Sequence, residues 1–238
     1  MSAFQPHAFE RSGFSSATVS LLLISRGNRG FSGAALKPRH AIIKRTMDIL
    51  LALVGIAIMG IPMLVIAVAI RLTSKGPALF RQARVGLNGR RFVVLKFRTM
   101  RHSVDATAPF LQATRDDPRV TPIGALLRHT SLDELPQFLN VLTGSMSLVG
   151  PRPHAPGTCA AGRLFETVTE RYATRHCVKP GMTGLAQIRG WRGETDTEEK
   201  LLRRLDSDLE YIATWSPRND LLILWHTIVE VLRMPNAY

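Results

Sequence analysis

The stretch "KRTMDILLALVGIAIMGIPMLVIAVAIRLTSKG", Lys44 to Gly76, decides the architecture. From Ile49 to Ile70 it holds 22 residues without a charge. As a helix rising ~1.5 Å per residue, that run reaches about 33 Å, the thickness of a hydrocarbon core. The spacing predicts a membrane segment. Lys44 and Arg45 flank it on one side and Arg71 and Lys75 on the other, so counting positive charges gives no orientation. In its middle, Gly60-Ile61-Pro62 places a proline, which removes a backbone bond and crowds the preceding turn. Two topologies are open on these residues: a kinked crossing, or a helix that breaks near Pro62 and returns to the same face. The balanced basic flanks suit the second, since both ends would then meet anionic headgroups.

Outward from this segment, residues 1–40 are rich in Ser, Gly and Arg and read as a flexible tail. Residues 41–75 form the membrane element, and residues 76–238 read as a soluble domain of α/β class, mostly helical with short strands. "RFVVLKFRTM", from Arg91, alternates as a short strand ending in Lys96 and Arg98. "SLDELPQFLNVL" repeats Leu132, Leu135, Phe138, Leu139 and Leu142 at helical steps. Leu201, Leu205, Leu209 and Ile212 mark a second amphipathic helix. Leu221 to Leu232 is apolar on most sides and short for a span, which suits a core helix or one lying in the membrane interface.

The chain has 238 residues, with 31 Lys and Arg against 18 Asp and Glu, a net +13. Such a balance suits an anionic membrane, phosphorylated substrates or nucleic acid. Nucleic acid is disfavoured, because aromatics are only 7% and no finger or RNA-binding signature occurs. Cys159 and Cys177 match no metal or redox spacing and read as free thiols. Any metal would be a hard cation on carboxylates.

Asp133 and Glu134 lie behind Thr130-Ser131 and ahead of Pro136. Acids in a first helical turn, capped by Thr130 or Ser131, are ordinary dipole complements worth ~0.3–1 kcal/mol. With Leu132 and Leu135 inward, both acids would face out. The neighbourhood asks for more than that. Arg128 precedes them, Lys96 and Arg98 end the strand, and Arg152 sits between two prolines that stiffen its backbone. Carboxylates among fixed cations suggest phosphoryl chemistry through a divalent metal, with the carboxylates ionised.

"RVGLNGRRFVVLKFRTM", "RHTSLDELPQFLNVLTGSMSLVGPRP" and "VKPGMTGLAQIRGWRGETDTEEK" together closely resemble the bacterial sugar transferase family, the monotopic polyprenyl-phosphate phosphoglycosyl transferases. The resemblance covers roughly residues 42–235. It implies a re-entrant membrane helix broken at Pro62, with amphipathic interfacial helices beside it. It also implies an Asp133–Glu134 dyad working with Mg²⁺, the aspartate as nucleophile. Lys96, Arg98, Arg128 and Arg152 are then expected to bind substrate phosphates, and Gln187 and Arg189 to meet the nucleotide or sugar. The implied reaction moves hexose-1-phosphate from a UDP-hexose to undecaprenyl phosphate, releasing UMP, and starts exopolysaccharide assembly at the bacterial inner membrane, with the catalytic domain on the cytoplasmic face.

The C-terminal half resembles the glucose or galactose subgroup. The brief N-terminal region resembles its short, single-anchor form, and a homo-oligomer is compatible with it. Ser145 stands where the family usually has an acid. Gly181 and Gly184 read as turn residues, and His154 as a polar supporting or surface residue. The alternative is a non-catalytic membrane scaffold that binds anionic lipid or a polysaccharide-assembly partner.

Overall fold

The structure, a computed structural model, describes residues 37–101, 117–193, 195 and 197–233. The tail expected over residues 1–40 falls, up to residue 36, outside the described residues. One helix dominates, α1 (Pro38–Thr73). Among the described residues it alone is long and apolar enough to cross a membrane. Its apolar side chains stand largely in the open, with Ile61 77%, Leu64 66% and Ile58 62% exposed. A core helix of a soluble protein would bury them. The expected break near Pro62 meets a helix whose secondary structure continues through that proline.

Both halves of α1 grip the same domain. Arg45 donates to the carbonyls of Val141 and Leu142, at 2.5 and 2.7 Å. Asp48 is buried and accepts from Ser147 Oγ and the Leu148 amide. Lys44 bridges Asp48 and Asp220. The two basic residues ahead of the apolar run are therefore engaged with protein, not only with headgroups. At the other end, Arg98 donates to the carbonyls of Ser74 and Lys75, a cation at a helix C-terminus.

After α1 the chain turns into an antiparallel hairpin, β1 (Leu79–Val85) and β2 (Arg91–Phe97), paired from Leu79↔Phe97 to Val85↔Arg91. Then come α2 (Pro122–Thr130), a single 3₁₀ turn at Leu132–Glu134, α3 (Gln137–Thr143) and β3 (Ser147–Val149). A small hairpin, β4 (Cys159–Ala160) with β5 (Arg163–Leu164), leads to the short α4 (Phe165–Val168). A 3₁₀ stretch, Glu170–Cys177, precedes β6 (Gly181–Thr183), which pairs parallel with β3. The chain continues through α5 (Leu185–Ile188), α6 (Glu198–Thr214) and α7 (Pro217–Arg233).

The helical stripe Leu201, Leu205, Leu209 and Ile212 is buried as its period predicts. Leu205, Leu209 and Ile212 join Val141, Met146, Val149 and Ala52 of α1 in the main core. A second cluster packs Ile70 of α1 on Phe97 and Leu127, with Leu132 and Leu135 against it. Helix α7 buries Ile223 yet exposes Leu221, Trp225, Ile228 and Leu232, so of the two sequence readings the interfacial one fits.

Gly181 and Gly184 are not turn residues. Neither has positive φ. A Cβ on either would strike the Gly150 backbone, so they serve close approach of β6 to the strand that leads into Pro151-Arg152.

Candidate active site

The acid pair sits on a local conformation that its sequence only partly announces. Ser131 adopts φ 60°, a left-handed residue that ends α2, and its side chain caps nothing. The 3₁₀ turn follows, and the α-helix proper begins only at Gln137. Leu132 and Leu135 face a core cluster as expected, but the acids do not face out: Asp133 is buried. Leu132, Leu135 and Phe138 turn toward the membrane helix, where the Phe138 ring lies against Gly55. The opposite, buried face is polar: Asp133, Gln137 and Asn140. It meets β2, where Asn140 donates to the Val93 carbonyl at 2.7 Å and accepts from the Leu95 amide at 2.9 Å. Ser145 shares hydrogen bonds with Asn140 and so serves this clamp.

Lys96 lies 2.8 Å from Glu134 Oε1 and 3.6 Å from Asp133 Oδ2. Arg152 reaches both Glu134 oxygens, at 2.5 and 3.1 Å, in a forked pair. Burial acts against the charge on Glu134, but Arg152 and Lys96 together hold its carboxyl well below the ordinary range. Asp133 goes the other way. Burial raises it, Lys96 opposes, and the Glu134 charge raises it again. The environment moves the two carboxyls in opposite directions, Asp133 up and Glu134 down.

Of the four cations expected at phosphates, the structure brings three together. Lys96 and Arg152 touch the dyad. Arg128 donates from Nε to Thr99 Oγ1 at 2.9 Å, and its charge still acts on Asp133. Arg98 is not in the cluster: buried, it binds Ser74 and Lys75 at the end of α1, while its own amide donates to the Ala78 carbonyl. Arg189 forms a two-pronged pair with Glu210 of α6, both bonds 2.7 Å. Gln187 is buried and donates to the Met182 carbonyl. Their expected nucleotide or sugar contacts find a structural engagement first.

Sequence reasoning passed over the shell behind Arg152. Arg175 donates to the Arg152 carbonyl at 2.7 Å and forms a fully buried pair with Asp208, also 2.7 Å. His154 is interior, not on the surface, with Nδ1 2.8 Å from Tyr172 Oη and Nε2 3.0 Å from Arg204 Nη1. Arg175 Nη1 also lies 2.8 Å from Nδ1, so a guanidinium, which can only donate, faces each ring nitrogen and a second positive charge on the ring is disfavoured. Burial, then Arg175 and Arg204, hold the ring well below its ordinary value, which agrees with neutrality. Arg192 was also missed: it donates to Ser131 Oγ at 2.5 Å, two residues from Asp133. These contacts span long sequence separations and leave no local signal.

Asp133 and Glu134 are the carboxylates of this cluster, and among the described residues no three His, Cys, Asp or Glu side chains gather as a metal cage. Two carboxylates suit Mg²⁺, which completes its oxygens from water and substrate phosphates. The donor set fits the ion in that sparse form.

The family model described as bacterial sugar transferase matches residues 39–234. The UDP-glucose:undecaprenyl-phosphate glucose-1-phosphate transferase of Escherichia coli K12 is 50% identical over 199 residues, 84% of this chain and 42% of that protein. The Caulobacter vibrioides protein of the same name is 48% identical over 203 residues, 84% of this chain and 74% of its own length. The exopolysaccharide production protein PSS of Rhizobium leguminosarum is 46% identical over 191 residues, covering 80% of this chain and 96% of its own length. The chain thus spans less than half of the first relative and nearly all of the last. It belongs to the bacterial sugar transferase family.

Proposed function

We propose that this protein transfers hexose-1-phosphate, from UDP-glucose or UDP-galactose, to undecaprenyl phosphate at the cytoplasmic face of the bacterial inner membrane, and so begins exopolysaccharide assembly. The observation that carries this reading is a buried Asp–Glu pair held between Lys96 and Arg152, on a domain whose membrane helix exposes its apolar side chains. An Asp133 carboxylate oxygen attacks the sugar-bearing phosphorus. The bond to the bridging oxygen breaks and UMP leaves with its electron pair. An oxygen of undecaprenyl phosphate then attacks the same phosphorus, frees the Asp133 carboxylate and yields undecaprenyl diphosphate hexose.

Asp133 must be ionised to attack, and its raised pKa makes it a stronger nucleophile once it is. Lys96 stands against its outer oxygen and favours that ionised form. Arg152, stiffened by two prolines and held from behind by Arg175, is aimed at developing phosphoryl charge. Asp133 and Glu134 would hold Mg²⁺, which when bound supplies charge neutralisation for the phosphates.

The grip of one domain on Arg45 and Asp48 and on Ser74 and Lys75 supports a re-entrant α1. A domain lies on one face of the bilayer, so both ends return to it. Pro62 is the place for the bend, since the Ile58 carbonyl loses its helical donor there. The relatives named for UDP-glucose, at 50% and 48% identity, make glucose the first donor to try. UMP release from UDP-glucose and UDP-galactose, each with undecaprenyl phosphate and Mg²⁺, tests the reading. Turnover with at least one is expected; none with either, from folded protein, would overturn it in favour of the scaffold.

A further inference from the structure

A small polar cavity opens beside the dyad, lined by Arg84, Val94, Lys96, Gln137, Arg152 and Pro153. Its construction follows from the pairing. In an antiparallel hairpin, residues opposite one another share a face, and Arg84↔Phe92, Gln82↔Val94 and Phe80↔Lys96 are such pairs. Arg84, Val94 and Lys96 therefore project together. Gln137 follows Asp133 by four residues on the buried polar face.

Three features there call for an anion. Gln137 is only 3% exposed and lines the cavity; among the described residues its side-chain amide makes no protein hydrogen bond, and its polar atoms are not sealed from solvent. Its helical neighbours on that face are both engaged, Asp133 by Lys96 and Asn140 by β2. Arg84 is half-buried and bonds only to neutral acceptors, Gln82 Oε1 at 2.5 Å and the Pro153 carbonyl at 3.3 Å. Burial, then the neighbouring Arg152, bring its guanidinium down to about 10, with Glu134 acting against them. Finally, three cations line the cavity, while Glu134 is shared by two of them.

We propose that Arg84 and Gln137 form a phosphate-binding subsite beside the dyad, taking anionic oxygens of the substrate diphosphate. The guanidinium supplies charge, and the Gln137 amide supplies a directed hydrogen bond one turn away from the nucleophile. This places the phosphate chain along the hairpin face, with Lys96 shared between subsite and dyad. It rests on the transfer reading for the identity of the substrate, but not for the presence of the subsite.

Inorganic pyrophosphate is the probe, titrated into the full chain in lipid nanodiscs without divalent cation and read by calorimetry. Arg84→Gln and Gln137→Leu are each expected to weaken binding about tenfold, the loss of one charge-assisted or directed bond. Arg84→Lys should recover part of it, and Gln137→Glu, which keeps the packing and adds repulsion, should weaken it at least as much as Gln137→Leu. If either truncation lowers the melting temperature grossly, Arg84→Lys and Gln137→Glu carry the test. Unchanged affinity in folded variants, or no pyrophosphate binding by the wild type, overturns the subsite. Parallel UMP release separates the two ideas. Affinity lost in the variants without wild-type turnover of any UDP-hexose leaves the subsite and removes the transfer reading. Turnover with an unchanged KM for UDP-glucose in both variants does the reverse.

Discussion

At the residue scale, two adjacent carboxylates of the same chemistry are driven to opposite protonation tendencies by position alone. Asp133 is raised from 3.8 chiefly by burial. That contribution favours the fold below the unfolded value and disappears as pH rises through the folded one. Asp133→Asn should therefore abolish UMP release and, at pH 7, raise the melting temperature. Glu134 is lowered from 4.5, so its contribution is present above that value and lost as pH falls through the folded one. Glu134→Gln leaves Lys96 and Arg152 without their shared anion and should cost about 3 kcal/mol in urea unfolding, as broken buried pairs do. The acid limb of kcat/KM reports the free enzyme's base and should lie above 3.8. The sequence placed cations around these acids correctly in three cases of four. It could not show which acid is buried, because that depends on β2 covering one face of the turn.

At the scale of elements, periodicity was a good guide to helices and a poor one to what each face meets. The stripe of α6 points into the core as its spacing predicts. The stripe of Leu132, Leu135 and Phe138 packs on the membrane helix within the core, and the polar face is buried as well because the hairpin supplies Lys96 and two backbone groups to match it. Glycine follows the same lesson. Gly181 reads locally as a turn, yet its need comes from β3, which is distant in sequence. Gly181→Ala should push β6 off Gly150 and cost about 3 kcal/mol or more in thermal or chemical unfolding. Gly60→Ala, with no atom within 4 Å of its added Cβ, should instead be neutral or mildly stabilising in the same measurement.

At the scale of the whole molecule, the membrane helix is part of the folded domain's core and not an appendage. Ala52 and Ile70, both fully buried, belong to its two principal clusters. The length and apolarity of that helix were legible at once. Its topology was not, since charge flanks are symmetric and the contacts that bear on it, Arg45 to α3 and Arg98 to Ser74, join residues far apart in sequence. Arg39→Cys and Lys75→Cys should both react with an impermeant maleimide only from the side that reaches the native, exposed Cys159. Labelling of the two from opposite sides would mean a crossing helix. The buried Arg175–Asp208 pair ties α6 to the Arg152 backbone across the domain. Arg175→Met leaves Asp208 uncompensated and should destabilise by about 3–5 kcal/mol, with kcat falling more than KM rises as Arg152 loses its support.

The transfer chemistry is tested most directly by intact-protein and peptide mass spectrometry after rapid acid quench, with UDP-glucose or UDP-galactose and Mg²⁺ but no lipid acceptor. The expected result is a hexose-phosphate adduct on the peptide that carries Asp133, formed together with UMP, absent in Asp133→Asn and discharged by undecaprenyl phosphate. Unmodified protein at every quench time, with product still forming once acceptor is added, would show direct displacement and contradict a covalent role for Asp133.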